Sequence, residues 1–194
     1  LFVDSCKRGN SRGCEFIRQI LIKEEIVQDG YNSLKWGDSL EKTKKIFPII
    51  SQNKELTETY KNMLQNKEIV VYKEEYSANS PIDERCFIFW KNKLLRVFIA
   101  FNRKVADDIF KADFVNKISK NLGKKPQEHV WKDAEYGDYL INGKVYLWHT
   151  NLVKVEFQAK STKMKKTNKM LNENDCSVFF SSTKIEKDMN ENIK

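Results

Sequence analysis

Residues 86–101 read CFIFWKNKLLRVFIAF, two apolar runs joined by a short polar turn, and this stretch decides the fold. Asn92, in the turn, takes a left-handed backbone conformation at little cost. Successive side chains of a strand alternate between its two faces. One face of the first run carries Cys86, Ile88 and Trp90, and the other carries Phe87 and Phe89. One face of the second run is apolar throughout and carries Leu95, Val97, Ile99 and Phe101, while Arg96 interrupts the opposite face. The stretch therefore predicts an apolar β-hairpin that other elements must cover.

Four segments have apolar residues at helical spacing. They are residues 14–27, 38–47, 55–66 and 105–122. Asp38 or Ser39 is the N-cap of the second segment. Its side chains Leu40, Thr43 and Phe47 lie along one side, and Pro48 ends the helix. The second and third segments together predict a helix-turn-helix that lies on a sheet. The third segment carries acidic residues and no arginine, so we expect it to pack rather than to read DNA.

The second half of the chain predicts another antiparallel meander. Residues 139–141 and 144–148 flank Asn142-Gly143, which is the strongest short hairpin signal in the chain. Residues 152–160 alternate as a strand whose polar side chains face outward. Residues 160–169 are Lys-rich and predict a mobile connection before a last strand at 177–181.

Together these segments predict an α+β protein with helices packed on one face of antiparallel β-meander sheets. We expect two helix-plus-meander units, residues 31–104 and 105–186. An N-terminal segment with a short helix, residues 1–30, precedes them, and a frayed tail, residues 187–194, follows.

The net charge of +8 favours anionic partners. The excess is mostly lysine and is scattered, which is also the pattern of an ordinary solvated surface. No apolar run approaches the roughly 20 residues that a membrane-spanning helix needs.

The four cysteines form no C-x-x-C pair and are Cys6, Cys14, Cys86 and Cys176. The two histidines are not spaced as metal ligands beside them, so the sequence predicts neither a zinc site nor a cofactor. Cys6 and Cys14 are the local candidates for a disulfide. Residues 1–6 also read as the end of a removed signal followed by a lipid-accepting Cys6, a site that Val3 and Ser5 suit and Asp4 does not.

Residues 34–43, LKWGDSLEKT, are followed by Phe47-Pro48 and a later aromatic hairpin. This arrangement resembles a diffuse group of bacterial envelope proteins that carry a tryptophan-glycine-x-serine helix start and then a strand meander, often twice. It is similar to the beta-lactamase-inhibitory proteins and the small outer-membrane assembly lipoproteins. The likeness covers about residues 31–160. It implies an exported, non-enzymatic binding role in the periplasm or outer envelope, and it assigns no functional residue.

One enzyme pattern is present. Asp138, followed by Gln158-Ala159-Lys160, resembles the acidic residue and (E/Q)-x-K of metal-dependent nucleases. Gln158 and Lys160 share a strand face, which would suit a magnesium site. Glu156 and Lys154 continue the same face, as they would on any solvated strand. Phosphate-binding glycine loops and the G-x-S-x-G elbow are absent from the sequence.

Trp36, Trp131 and Trp148 each lie near a predicted element end or turn, where a large ring can be exposed. Exposed tryptophans anchor protein or glycan ligands, although filling the core is their commoner use. We therefore expect an exported binding or scaffold protein with a protein or glycan partner, anchored to the membrane only if Cys6 is lipidated. The alternative is a cytoplasmic nucleic-acid binder that uses residues 160–169 and other lysines.

Overall fold

The computed structural model describes residues 26–76, 80–103, 106 and 108–192. A small three-stranded sheet comes first in this part of the chain, with strands β1 (Ile26–Val27), β2 (Gly30–Tyr31) and β3 (Leu34–Lys35). The four described helices are α1 (Leu40–Ile46), α2 (Lys54–Met63), α3 (Asp108–Leu122) and α4 (Thr183–Glu191).

Two antiparallel meanders form one eight-stranded sheet. The first consists of β4 (Ile50–Gln52), β5 (Ile69–Glu74), β6 (Ile82–Trp90) and β7 (Lys93–Phe101). The second consists of β8 (Gln127–Tyr136), β9 (Tyr139–His149), β10 (Val153–Met164) and β11 (Met170–Ser182). The strand order is β4-β5-β6-β7-β11-β10-β9-β8, so the last strand of each meander pairs with the last strand of the other. The predicted α+β class with antiparallel meanders is confirmed.

Helices cover both faces of this sheet rather than one. One face carries Phe87 and Phe89 of β6, and it packs against α3 and against the segment that contains α1. We call it the α3 face. Phe114 of α3 contacts Phe101 and Phe157, with ring centroids 5.1 Å and 4.9 Å apart. The α4 face carries Cys86, Ile88 and Trp90, and it packs against α2 and α4. The predicted alternation along β6 is therefore correct.

The organising hairpin turns at Lys91 and Asn92, which both have positive φ angles, as a two-residue hairpin turn requires. The second strand differs from its predicted pattern, because a β-bulge interrupts the pairing of β6 with β7. Leu94 rather than Leu95 joins Val97 in the core of the α3 face, and Leu95 packs in the core of the α4 face.

The predicted helix-turn-helix is wrong. Strand β4 separates α1 from α2, and the two helices pack on opposite faces of the sheet. Ser39 is the N-cap of α1, since its Oγ accepts a hydrogen bond from the Lys42 N–H. Asn53 caps α2 in the same way through the Leu56 N–H.

The predicted hairpin turn at Asn142-Gly143 is also wrong. Both residues lie inside β9, and the chain turns instead at Gly137 and Asp138. Gly143 is required where it stands because a Cβ there would lie 2.3 Å from the Ala159 carbonyl oxygen on β10. Asn142 bonds to a bulge in β8: its Oδ1 accepts from the Asp133 N–H and its Nδ2 donates to Asp133 Oδ1, both at 2.9 Å.

The predicted mobile connection at residues 160–169 is mostly ordered secondary structure. Strand β10 continues to Met164, and the Met164 N–H donates to the Lys169 carbonyl across the following turn. Of the predicted helix at residues 14–27, Ile26 and Val27 form a short strand. The rest of that helix lies outside the described residues, as do Cys6 and Cys14 with their proposed disulfide and lipidation.

Candidate binding face

The α4 face of the sheet carries a row of hydrogen-bond donors on four adjacent strands. Register pairs Arg96 of β7 with Ser181 of β11, Ser181 with Lys154 of β10, and Lys154 with His149 of β9. Neighbouring strands are about 4.8 Å apart, so these side chains stand at that spacing. We call these four residues the donor row.

The next row on the same face is mainly apolar. It begins with Phe98 and Phe179, whose ring centroids lie 4.6 Å apart. It continues across β10, β9 and β8 as Glu156, Leu147 and Gln127. Glu156 is thus the acidic member of a row that is otherwise apolar or neutral.

Members of both rows, together with Gln158 and the end of helix α2, line an open cleft of about 240 Å³, here called the Arg96 cleft. Arg96, Ser181 and Lys154 line one part of it, and Glu156 and Gln158 line another. Phe179 and the exposed Met63 of α2 supply its apolar surface. Cations, a carboxylate and apolar side chains therefore meet in one small concavity.

Arg96 is held in place by helix α4. Its Nη2 donates to Oε1 of Glu186, and its side chain is 17% exposed. Arg96 Nε is buried and has no hydrogen-bond partner in the described part of the chain. Lys154, across Ser181 from Arg96, is exposed and forms no ion pair among residues 26–76, 80–103 and 108–192. Gln158 Nε2 donates to Glu156 Oε1 at 2.6 Å, which orients that carboxylate.

A second group of side chains lies on the same sheet face, towards the β8–β9 turn. We call it the aromatic patch, and its members are Trp131, Tyr136, Tyr139, Ile141 and Met164. Register pairs Tyr136 with Tyr139, Tyr139 with Met164, and Trp131 with Gly143. Tyr136 is 73% exposed and Tyr139 is 40% exposed. Trp131, Ile141 and Met164 are half-buried.

The three tryptophans proposed from the sequence do not come together. Trp148 is fully buried on the α3 face, and its Nε1 donates to Ser119 Oγ of α3 at 3.2 Å. The prediction that Trp148 is exposed for a partner is therefore wrong, because the ring fills the core. Trp36 is partly buried against both core clusters, and its Nε1 donates to the Gln28 carbonyl. Trp131 is the one of the three that lies on the open part of the α4 face.

The nuclease-like residues are not brought together. Asp138 lies in the β8–β9 turn, next to the pairing of Tyr139 with Met164. Gln158 is six residues from Met164 along β10, which is about 20 Å. A single metal ion cannot join groups at that distance. Among the described residues, no group of three or more His, Cys, Asp or Glu side chains is placed to hold a metal ion.

Two of the lysines proposed for nucleic-acid binding already have acidic partners. Lys163 forms an ion pair with Asp133 at 3.2 Å, and Lys165 forms one with Glu135 at 2.6 Å. These carboxylates offset charge that would otherwise attract phosphate groups. The 160–169 segment is thus a weaker anion-binding surface than its composition indicates.

The two described cysteines, Cys86 and Cys176, are buried free thiols. Burial, with a hydrogen bond to Glu84, raises the pKa of Cys86 far above its ordinary value. The thiolate is the nucleophilic form, so this shift disfavours nucleophilic chemistry at Cys86, whose side chain packs in the core of the α4 face. Burial, followed by the neighbouring Cys86, raises the pKa of Tyr60 to about 12.

The Arg96 cleft was not predicted, although the sequence contains a signal for it. Arg96 interrupts the apolar pattern of its strand, and a guanidinium that is largely removed from water needs a partner. The partner, Glu186, lies 90 residues away along the chain. Its helix was not predicted, so the site could not be assembled from the sequence.

Comparison with known proteins found no relative of this chain. No family model matches it, and neither a curated protein nor a solved structure matches it. The resemblance to envelope proteins therefore stays an expectation. Within the described residues no helix is long and apolar enough to cross a bilayer.

Proposed function

We propose that this chain is a non-enzymatic binding protein that docks a protein partner on the aromatic patch. The observation that carries the proposal is the exposure of Tyr136 and Tyr139 on the sheet face that also carries Trp131. Tryptophan, tyrosine and methionine are enriched where proteins bind one another, and aromatic anchors supply most of the binding energy.

The shape of the patch supports the same function. Strands β8 to β11 are ten to thirteen residues long, whereas β5 to β7 have six to nine. The side chains of the patch stand on paired strands whose register is continuous between β9 and β10. A rigid sheet presents such anchors at a low cost in conformational entropy.

An exported location, with Cys6 as a lipid anchor, belongs to the same proposal and rests on the resemblance to envelope proteins. Fractionation of cells that express the natural full-length protein tests the location. Recovery only in the cytosol would overturn the exported part of the proposal and would leave the docking surface in place.

The docking surface is tested with the double variant Tyr136→Ser, Tyr139→Ser in affinity capture followed by a measured binding isotherm. The control is Ile49→Ser, which removes a 65% exposed apolar side chain next to β4, at the other edge of the sheet. We expect the wild type and the control to bind one partner equally. The double variant should bind it at least tenfold more weakly, as hot-spot losses do. Equal binding by all three proteins would exclude the patch as the docking surface.

Nucleic-acid binding is the alternative, and the same proteins test it. Binding to single-stranded and duplex DNA is measured at about 50 mM and 200 mM salt, because phosphate contacts weaken steeply over that range. Steeply salt-dependent DNA binding by the wild type, with no protein partner, would favour the alternative.

A further inference from the structure

We infer that the Arg96 cleft is a binding site for a small apolar zwitterion of the α-amino-acid class. The inference rests on the arrangement of charge in the cleft and is independent of the aromatic patch.

The carboxylate subsite is the middle of the donor row. Ser181 stands between Arg96 and Lys154, one strand spacing from each. An oxyanion above Ser181 accepts from the hydroxyl and lies within reach of both cations, and charge-assisted hydrogen bonds of this kind are the strong ones. Arg96 is already paired with Glu186, whereas Lys154 is exposed and has no ion pair within the described residues, so Lys154 supplies the uncompensated positive charge of this subsite.

The ammonium subsite is Glu156. It faces the same cleft two residues along β10 from Lys154, a separation of about 7 Å. Its carboxylate is oriented by the Gln158 amide at 2.6 Å. A negative charge at this position attracts a ligand amine and repels a second anionic group. A phosphate or a dicarboxylate is therefore disfavoured relative to a zwitterion.

The apolar subsite is formed by Phe179 and Met63. Both line the cleft, and Met63 is exposed although it lies on a helix whose other apolar residues pack inward. An aliphatic or aromatic side chain of the ligand removes this apolar surface from water. The cleft volume of about 240 Å³ is below the roughly 300–1,000 Å³ of sites for drug-sized ligands, and a single amino acid suits that size.

Isothermal titration of the whole chain with L-leucine tests the site, and two analogues isolate its parts. L-Leucinamide lacks the carboxylate, and 4-methylpentanoate lacks the amine. We expect L-leucine to bind and each analogue to bind at least tenfold more weakly. Equal binding of 4-methylpentanoate would overturn the role of Glu156, and equal binding of L-leucinamide would overturn the role of the donor row. Absence of binding by L-leucine, L-phenylalanine and L-methionine alike would overturn the whole proposal.

Two variants localise the binding. Lys154→Gln and Glu156→Gln each keep a polar side chain on a strand, and each should weaken L-leucine binding at least tenfold. Lys132→Gln, which removes an exposed lysine from β8 outside the cleft, should leave it unchanged. Urea midpoints equal to wild type would show that all three variants fold. Undiminished binding in both cleft variants would place the ligand elsewhere. The Tyr136→Ser, Tyr139→Ser protein should still bind L-leucine, which separates failure of this site from failure of the docking surface.

Discussion

Arg85 and Glu74 form a buried ion pair between strands β6 and β5. Arg85 Nη1 lies 2.6 Å from Glu74 Oε2, and the two side chains are 7% and 12% exposed. The Arg85 guanidinium also stands 5.2 Å from the centroid of the Phe47 ring and 5.6 Å from that of the Tyr31 ring. The pair therefore ties the segment that precedes β4 to the central sheet.

Arg85→Met should destabilise the fold by about 3–5 kcal/mol, because it leaves the Glu74 carboxylate buried without its cation. Urea unfolding followed by circular dichroism measures the loss. Adding Glu74→Gln to Arg85→Met should recover part of it, since the uncompensated charge is then gone. Lys61→Met, which breaks an exposed pair with Glu58, is the control and should change stability by about 0–1 kcal/mol. A similar small effect from Arg85→Met would contradict the buried pair.

Stability should fall above pH 9–10 because Cys86 and Tyr60 have raised pKa values in the folded chain. The folded state keeps both groups protonated, while the unfolded state loses these protons near the ordinary pKa values. Their contribution to the free energy of unfolding is thus complete below pH 9 and is lost as the pH rises. For Tyr60 the loss continues until the pH passes its folded-state pKa of about 12. The share from Tyr60 is at most about 3 kcal/mol.

Tyr60→Phe tests this dependence, because phenylalanine cannot ionise. Urea midpoints measured from pH 8 to pH 11 should fall less steeply for this variant than for the wild type. Tyr136→Phe, at an exposed position, should follow the wild-type curve. Parallel curves for Tyr60→Phe and wild type would show that Tyr60 titrates normally.

Gly143→Ala should destabilise the fold by more than about 2 kcal/mol, towards the upper end of the cost of overpacking. Its new methyl group would lie 2.3 Å from the Ala159 carbonyl oxygen of the neighbouring strand, which must then move. Gly137→Ala is the comparison, since its φ is also positive at 55° but nothing lies within 4 Å of the added carbon. That substitution should cost only the backbone penalty of about 1–2 kcal/mol. Thermal unfolding of both variants checks that Gly143→Ala lowers the melting temperature more than Gly137→Ala does.

Asn142→Ala should raise the pKa of Asp133. The hydrogen bond from Asn142 lowers that pKa most, and the Lys163 ammonium lowers it further. The carboxyl resonance of Asp133, followed by NMR between pH 2 and pH 6, reports the shift. Lys144→Ala on the same strand removes a lysine that pairs with Glu128 instead, and it should leave the Asp133 titration unchanged. An unaltered Asp133 curve in Asn142→Ala would mean that the bulge is held by other contacts.

Local patterns predicted the elements whose causes are local. The alternation in β6, the turn at Asn92 and the helix start at Ser39 all follow from neighbouring residues. The predicted hairpin turn at Asn142-Gly143 was wrong because the cause of its structure is not local. A two-residue turn signal is ambiguous when the glycine is needed for close contact with another strand. Gly143 lies against Ala159 and Lys160 of β10, which are 16 and 17 residues away along the chain.

The candidate sites depended on pairings that no local pattern specifies. Arg96, Ser181 and Lys154 become neighbours only because β11 pairs with both β7 and β10. The burial of Trp148 likewise depends on α3, which covers its side of the sheet. Trp131 could be proposed from the sequence, whereas the two tyrosines of the aromatic patch could not be distinguished from core residues.

The pairing of β7 with β11 has a consequence for synthesis on the ribosome. Residues 93–101 emerge well before residues 170–182, so the β7 edge that pairs with β11 has no native partner until residues 170–182 have emerged. An unpaired apolar edge invites association between nascent chains. We expect fragments that end before Met170 to aggregate, because β11 is then missing and the β7 edge stays unpaired.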